Sequence, residues 1–273
     1  MTPQTPQPVA VGVGGAGGWR ALAWAAEMAA RTGDRLVLLH VCVPGSPLDR
    51  IVSDPAAAEI EVVEPALARA YASVGARLGR SRATLKIRAG APSDQLVDAS
   101  AGARLLIIGD GEGGRTMCRV VRQAHCPVVV VRPGDPAAHG PFHGHVVAGV
   151  DSSTASRAAL EVAYEYAANR RLPLAAIHVT DGPPGDGARL LSDAVTPWRR
   201  MFPAVPTRCE VLAGPVGERL IRTGVGAGLL VVGDKRRGVI GRARTGDVPL
   251  TVATEAPCPV AVVPLAQRDA ERW

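Results

Sequence analysis

The sequence predicts an α/β protein of two homologous domains, each a doubly wound sheet of five parallel strands with helices on both faces. Three observations carry this: the chain contains itself twice, each half alternates short β-branched runs with longer Ala-, Leu- and Arg-rich segments, and the segment ends carry turn-forming glycines.

The repeat is direct. Val9-Ala10-Val11-Gly12-Val13-Gly14 followed by Trp19-Arg20-Ala21-Leu22 matches Val146-Val147-Ala148-Gly149-Val150-Asp151 followed by Ser156-Arg157-Ala158-Ala159. Leu36 to Val41, ending His40-Val41, matches Leu174 to Val179, ending His178-Val179. Gly90 to Asp110 aligns without gaps on Gly214 to Asp234, sharing Gly90/Gly214, Leu96/Leu220, Gly102/Gly226, Gly109/Gly233 and Asp110/Asp234. Cys126-Pro127-Val128 corresponds to Cys258-Pro259-Val260. The expected domains are therefore 1–138 and 145–273, joined through Arg132 to Gly144.

Taken in order, the β-branched runs place strands of the first half at 8–13, 35–42, 83–88, 104–109 and 127–132. Those of the second fall at 145–150, 173–179, 207–212, 228–233 and 259–263. Segments of helical period fill the gaps at 18–32, 64–79, 92–102 and 116–124, then at 154–170, 187–201, 215–226 and 247–255. For the Rossmann-like strand order 3-2-1-4-5, ligands sit in the crevice outside the carboxyl ends of the first and fourth strands. Gly14 and Gly109 stand there in one half, Asp151 and Gly233 in the other. Glycine there lets backbone N–H groups approach a phosphate, or simply makes a tight strand-to-helix turn.

Composition excludes several classes. The 273 residues are 47% hydrophobic and 21% charged, which suits a core-forming protein and not a disordered one. No apolar run approaches the roughly 18–20 residues of a membrane-spanning helix. The start of the chain, polar and proline-rich, does not look like an export signal, so a cytoplasmic location is expected. Five cysteines without a C-x-x-C spacing read as free thiols, not a zinc or redox pair. The charge of +6 is almost all arginine, Lys86 and Lys235 being the only lysines. Nucleic-acid binding through the Lys235 to Arg244 cluster is disfavoured, because only 3% of residues are aromatic and no recognition motif is present.

Gly12-x-Gly14-x-x-Gly17 formally matches the dinucleotide fingerprint of nicotinamide-dependent oxidoreductases. Gly12, however, aligns with Gly149 inside a strand, and Cys42, Val43 and Pro44 stand where a ribose-binding carboxylate would be. His139, His143 and His145 read as part of a solvated Pro/Gly linker and not as a metal tract. His40 and His178 occupy equivalent strand positions, which points to packing. No nucleophile elbow, H-E-x-x-H or P-loop lysine is present, so no enzyme is expected.

At this point a resemblance becomes specific. Val146 to Ser156, His178-Val179, Leu229 to Gly233 and Ala256 to Val260, with their counterparts in the first half, resemble the universal stress protein family, and the whole chain resembles a tandem member. The resemblance implies a non-catalytic stress-response protein and, in the nucleotide-binding type, ATP held by G-x2-G-x9-G-[S/T] after the fourth strand with an acidic residue ending the first. The second half lays this out as Gly233, Arg236 in place of glycine, Gly246, and Asp247 in place of the hydroxyl, with Asp151 in the acidic position and Val179 in the adenine-contacting one. Spacing is kept while Arg236 and Asp247 depart from the motif.

Asp247 is the informative departure. A carboxylate against a polyphosphate costs roughly 1–4 kcal/mol per nearby charge, whereas Asp is a preferred N-cap; it is expected to cap the helix whose N–H groups would otherwise grip phosphate, with Pro249 removing one donor. Lys235, Arg236, Arg237, Arg242 and Arg244 offer compensating positive charge. The first half departs further: Gly14 replaces the acid, the segment from Gly109 to Pro127 is too short for the loop, and Asp110 and Glu112 stand where phosphate oxygens would lie. It is expected to be a structural or regulatory partner. The resemblance also implies that the strands after Cys126 and Cys258 pair the halves as an internal pseudo-dimer. The remaining alternative is a scaffold of the same fold that binds a regulatory protein and no nucleotide.

Overall fold

The computed structural model describes residues 7–51, 57–111, 114–134, 137–180, 185–235 and 247–265. The chain divides into two compact units, Met1–Val131 and Arg132–Trp273. The first runs β1 (Val9–Val13), α1 (Gly15–Thr32), β2 (Leu36–Cys42), α2 (Ala57–Glu61), α3 (Pro65–Leu78), β3 (Ala83–Ala89), α4 (Pro92–Ser100), β4 (Leu105–Gly109), α5 (Arg115–Gln123) and β5 (Val128–Val131). The second runs β6 (Val146–Gly149), α6 (Thr154–Arg170), β7 (Leu174–Thr180), α7 (Gly187–Met201), β8 (Thr207–Ala213), α8 (Val216–Thr223), β9 (Leu229–Asp234), α9 (Val248–Glu255) and β10 (Val260–Pro264).

Strand order is β3-β2-β1-β4-β5 in the first unit and β10-β9-β6-β7-β8 in the second. Within each unit every strand pair is parallel. Both units thus have the expected order 3-2-1-4-5. Strands covered on both faces have no solvent side, which is why they read as continuous apolar runs: all four residues of β5 and the first four of β4 and β9 are buried. The helices following the first strands bury small residues, Ala21, Ala25 and Ala29 in α1 and Ala155, Ala159, Ala163 and Ala167 in α6. That choice brings each helix backbone close to the sheet.

The shared Gly90 and Gly214 have a local cause. They turn the chain from β3 into α4 and from β8 into α8 at φ 129° and 121°, which side-chain-bearing residues rarely adopt. Their N–H groups donate to equivalent carbonyls, Cys42 at 3.1 Å and Thr180 at 3.0 Å.

Three features depart from expectation. Helix α1 begins at Gly15, earlier than residue 18, because Gly14 and Gly15 both take positive φ and complete the turn themselves. A 3-10 turn at Pro47–Arg50 and the short α2 occupy a stretch for which no element was expected. Third, although His139 and His143 are exposed as expected of a solvated linker, the same segment anchors itself on the second unit through Phe142. Phe142 is 1% exposed, the Arg208 guanidinium lies 4.3 Å from its ring centre, and the Gly144 N–H donates to the Gly226 carbonyl at 2.9 Å. His139 and His143 stack at 4.5 Å. Among the described residues no three His, Cys, Asp or Glu side chains cluster as metal ligands.

The aromatic rings Tyr164, Trp198 and Phe202 stack between α6 and α7 at 5.8–6.4 Å, and the buried Tyr164 hydroxyl donates to Thr207 Oγ1 at 3.0 Å. Cys42, Cys126 and Cys258 are buried and Cys118 and Cys209 half-buried, all five outside any disulfide. Burial pushes the Cys258 thiol up to about 12, which leaves it inert. Among the described residues no helix is long and apolar enough to cross a membrane.

Candidate functional site

In the second unit a crevice of about 320 Å³ opens at the carboxyl ends of β6 and β9, within the range of small-molecule sites. Its walls are apolar where Ile177, Val179, Val216 and Leu220 stand, and polar where Asp151, Asp234, Lys235 and Asp247 stand. Asp151, Val179, Gly233 and Asp247 line this one crevice. Arg236 and Gly246 lie outside the described residues, as do Arg237, Arg242 and Arg244.

The strand-to-helix turn after β6 organises Asp151. Its Oδ1 accepts the Ser153 N–H at 2.8 Å and the Ser153 hydroxyl at 2.5 Å. Its Oδ2 meets Lys235 Nζ at 2.7 Å. Burial raises the Asp151 pKa, but the Lys235 and Ser153 contacts outweigh it and hold the carboxyl below the usual carboxylate range. Sequence reasoning missed this pair because its members lie far apart in the chain.

Asp247 caps α9: its carboxylate accepts the Leu250 N–H at 3.4 Å, and proline occupies the first turn. Ser153 likewise caps α6, its hydroxyl accepting the Ser156 N–H at 3.2 Å. Gly233 has a packing role. A Cβ built there would lie 2.5 Å from the carbonyl carbon and oxygen of Ala155, so the first turn of α6 rests directly on the end of β9. His178 also packs, its Nδ1 2.9 Å from the Val150 carbonyl, and His40 repeats this against Val13 at 3.1 Å.

The first unit has an equivalent crevice of about 380 Å³, no smaller than the second, despite the lost motif. Its lining includes Gly14, Val41, Gly109, Asp110, Gly111 and Thr116. Asp110 is not aimed at a ligand alone, since Arg20 donates to its Oδ1 at 2.7 Å; Glu112 lies outside the described residues. Helices α1 and α5 start at Gly14 and Gly114 without a side-chain cap, whereas α6 and α9 are capped. The glycines of the dinucleotide-like spacing serve packing: a Cβ on Gly12 would meet Leu96 at 2.9 Å, and Gly17 abuts Gly109.

Two units of the same doubly wound strand order, each with a crevice where that order reverses, define a tandem, Rossmann-like α/β protein. The family model described as "Universal stress protein family" matches residues 6–132, and the second half repeats the first. Residues 6–132, nearly all of the first unit, thus belong to the universal stress protein family, and the chain as a whole is similar to universal stress proteins. It is 31% identical over 188 residues to a universal stress protein of Mycobacterium tuberculosis, an alignment covering 61% of this chain and 63% of that protein. The chain thus spans less than two thirds of that relative. A universal stress protein of Mycolicibacterium smegmatis is 29% identical over 270 residues, covering 89% and 92%. Among solved structures, a universal stress protein from Archaeoglobus fulgidus superposes with TM-score 0.69 at 16% identity, covering 96% of this chain and 97% of that one. One from Pseudomonas aeruginosa gives 0.66 at 16%, covering 96% and 94%. At such identity these two speak for the fold.

Proposed function

We propose that the protein is a non-catalytic stress-response module that binds an adenine nucleotide, ATP in the first instance, in the crevice of its second unit. The observation that carries this reading is the crevice itself: an apolar wall at Ile177 and Val179 suited to a base, opposite a polar end where Lys235 offers an ammonium to phosphate. In this reading Val179 faces the adenine, Asp151 anchors Lys235, Gly233 sets the crevice floor, and Arg236 and Gly246 flank the phosphates. Asp247 works against a polyphosphate, both by its charge and by occupying the Leu250 N–H of α9. The protein would act through nucleotide-dependent contacts with a regulatory partner in the cytoplasm.

A second reading has the first-unit crevice as the nucleotide site, favoured by its size and its uncapped α1 and α5. The matched variants Val41→Glu and Val179→Glu separate the two, because His40-Val41 and His178-Val179 are equivalent and each valine lines its own crevice. Mass spectrometry of nucleotide released from natively purified protein, with ATP calorimetry, is expected to find binding lost in Val179→Glu and kept in Val41→Glu. The reverse pattern moves the site to the first unit. Absence of nucleotide and of binding heat in the wild type leaves the partner-binding scaffold as the function.

Asp247→Ser is expected to tighten ATP binding about tenfold, because serine keeps the cap while the opposing charge is gone. Calorimetry on a variant with unchanged melting temperature checks this. Unchanged affinity would show that Asp247 does not face the phosphates.

A further inference from the structure

The pair at the mouth of the second-unit crevice bears on what kind of ligand complex it accepts. The Asp151 carboxylate receives three donors, from Lys235 Nζ and from the Ser153 N–H and hydroxyl. A carboxylate at the end of a first strand would otherwise be placed to hold a divalent cation, which bridges one or two carboxylates to the phosphates of a substrate. Here an ammonium stands at that place. The chain otherwise supplies its positive charge as arginine, with Lys86 the only other lysine. An ammonium is a compact charge with three N–H donors, unlike the planar fork of a guanidinium, and the Asp151 contact uses one of them. Both partners change together between the units: the positions aligned with Asp151 and Lys235 are Gly14 and Gly111, and both line the first crevice.

We propose that Lys235 is the specificity-determining cation of the second crevice, taking the place of a divalent metal beside Asp151, so that the crevice binds its nucleotide phosphate without metal. The proposal rests on the nucleotide reading above. Lys235 then bridges Asp151 and a phosphate oxygen, while Asp151 is a positioning residue that touches no ligand.

The test is ATP calorimetry on the full chain in excess EDTA and in excess magnesium. Wild-type affinity is expected to agree within about threefold between the two media, and Lys235→Gln to bind about 10- to 100-fold more weakly in EDTA, the loss of one charge-assisted hydrogen bond. Magnesium should restore Lys235→Gln, because Asp151 Oδ2 is then open to the cation. Lys235→Arg should keep metal-free binding, and Asp151→Asn should weaken it in EDTA, because Lys235 is then no longer held at the phosphate. The pair is half-exposed, so all variants are expected to melt within about 3 °C of wild type. Wild-type binding that requires magnesium, or Lys235→Gln binding in EDTA like wild type, overturns the proposal and leaves the nucleotide reading standing. ATP bound by neither protein in either medium overturns both.

Discussion

Gly109→Ala and Gly233→Ala are expected to cost about 3–5 kcal/mol each, near the upper end of single substitutions. The obstacle in both cases is backbone, which cannot swing aside as a side chain does. A Cβ on Gly109 would lie 2.2 Å from the carbonyl carbon of Gly17 in α1, and one on Gly233 2.5 Å from that of Ala155 in α6. Admitting the methyl means pushing a whole helix off its sheet, with loss of the alanine contacts along it. Denaturant unfolding of the full chain should show the loss, with Gly102→Ala as control, since a Cβ there meets nothing within 4 Å. A Gly233→Ala variant as stable as that control would refute the close-packing account. Gly233→Asp is for the same reason a poor probe of ligand binding, because it disturbs the fold first.

Phe142→Ala should destabilise the second unit by about 3–5 kcal/mol, the usual range for emptying a buried phenylalanine site. Phe142 is 1% exposed although it lies in a Pro-, Gly- and His-rich segment. Its ring stacks under the Arg208 guanidinium and meets His145 edge-on at 6.3 Å, while Arg208 also donates to the Pro141 carbonyl. Truncation therefore removes apolar burial and the surface on which a cation rests. Hydrogen exchange across β8 and the Gly140 to His145 segment should report it, with Phe142→Leu recovering part of the loss. Unchanged protection would mean that the segment is a passive tether after all.

The strands were legible because burial on both faces leaves so plain a pattern: Val128 to Val131 and Leu229 to Val232 admit no other reading. Helix positions followed from the repeat as much as from periodicity, and Asp247 was recognisable as a cap from its place before a proline-bearing helix start. Phe142 escaped because one aromatic residue cannot outweigh a loop-like composition; its burial depends on Arg208, far along the chain. The place of the first-unit crevice was legible from the strand order, but its size was not, because its walls are strand ends that persist without the motif. The Asp151–Lys235 contact was legible only in the repeat, where Gly14 and Gly111 replace both of its members.

That paired replacement makes the two positions a single electrical element. Aspartate with lysine adds no net charge to a crevice wall, and neither does glycine with glycine. A mixed combination leaves one formal charge at a half-buried site without its counterion, so either single exchange meets a penalty that the double exchange avoids. At these two positions the crevices are thus alternative neutral solutions, one a compensated ion pair and the other without side chains, separated by a pair of intermediates that are each charged.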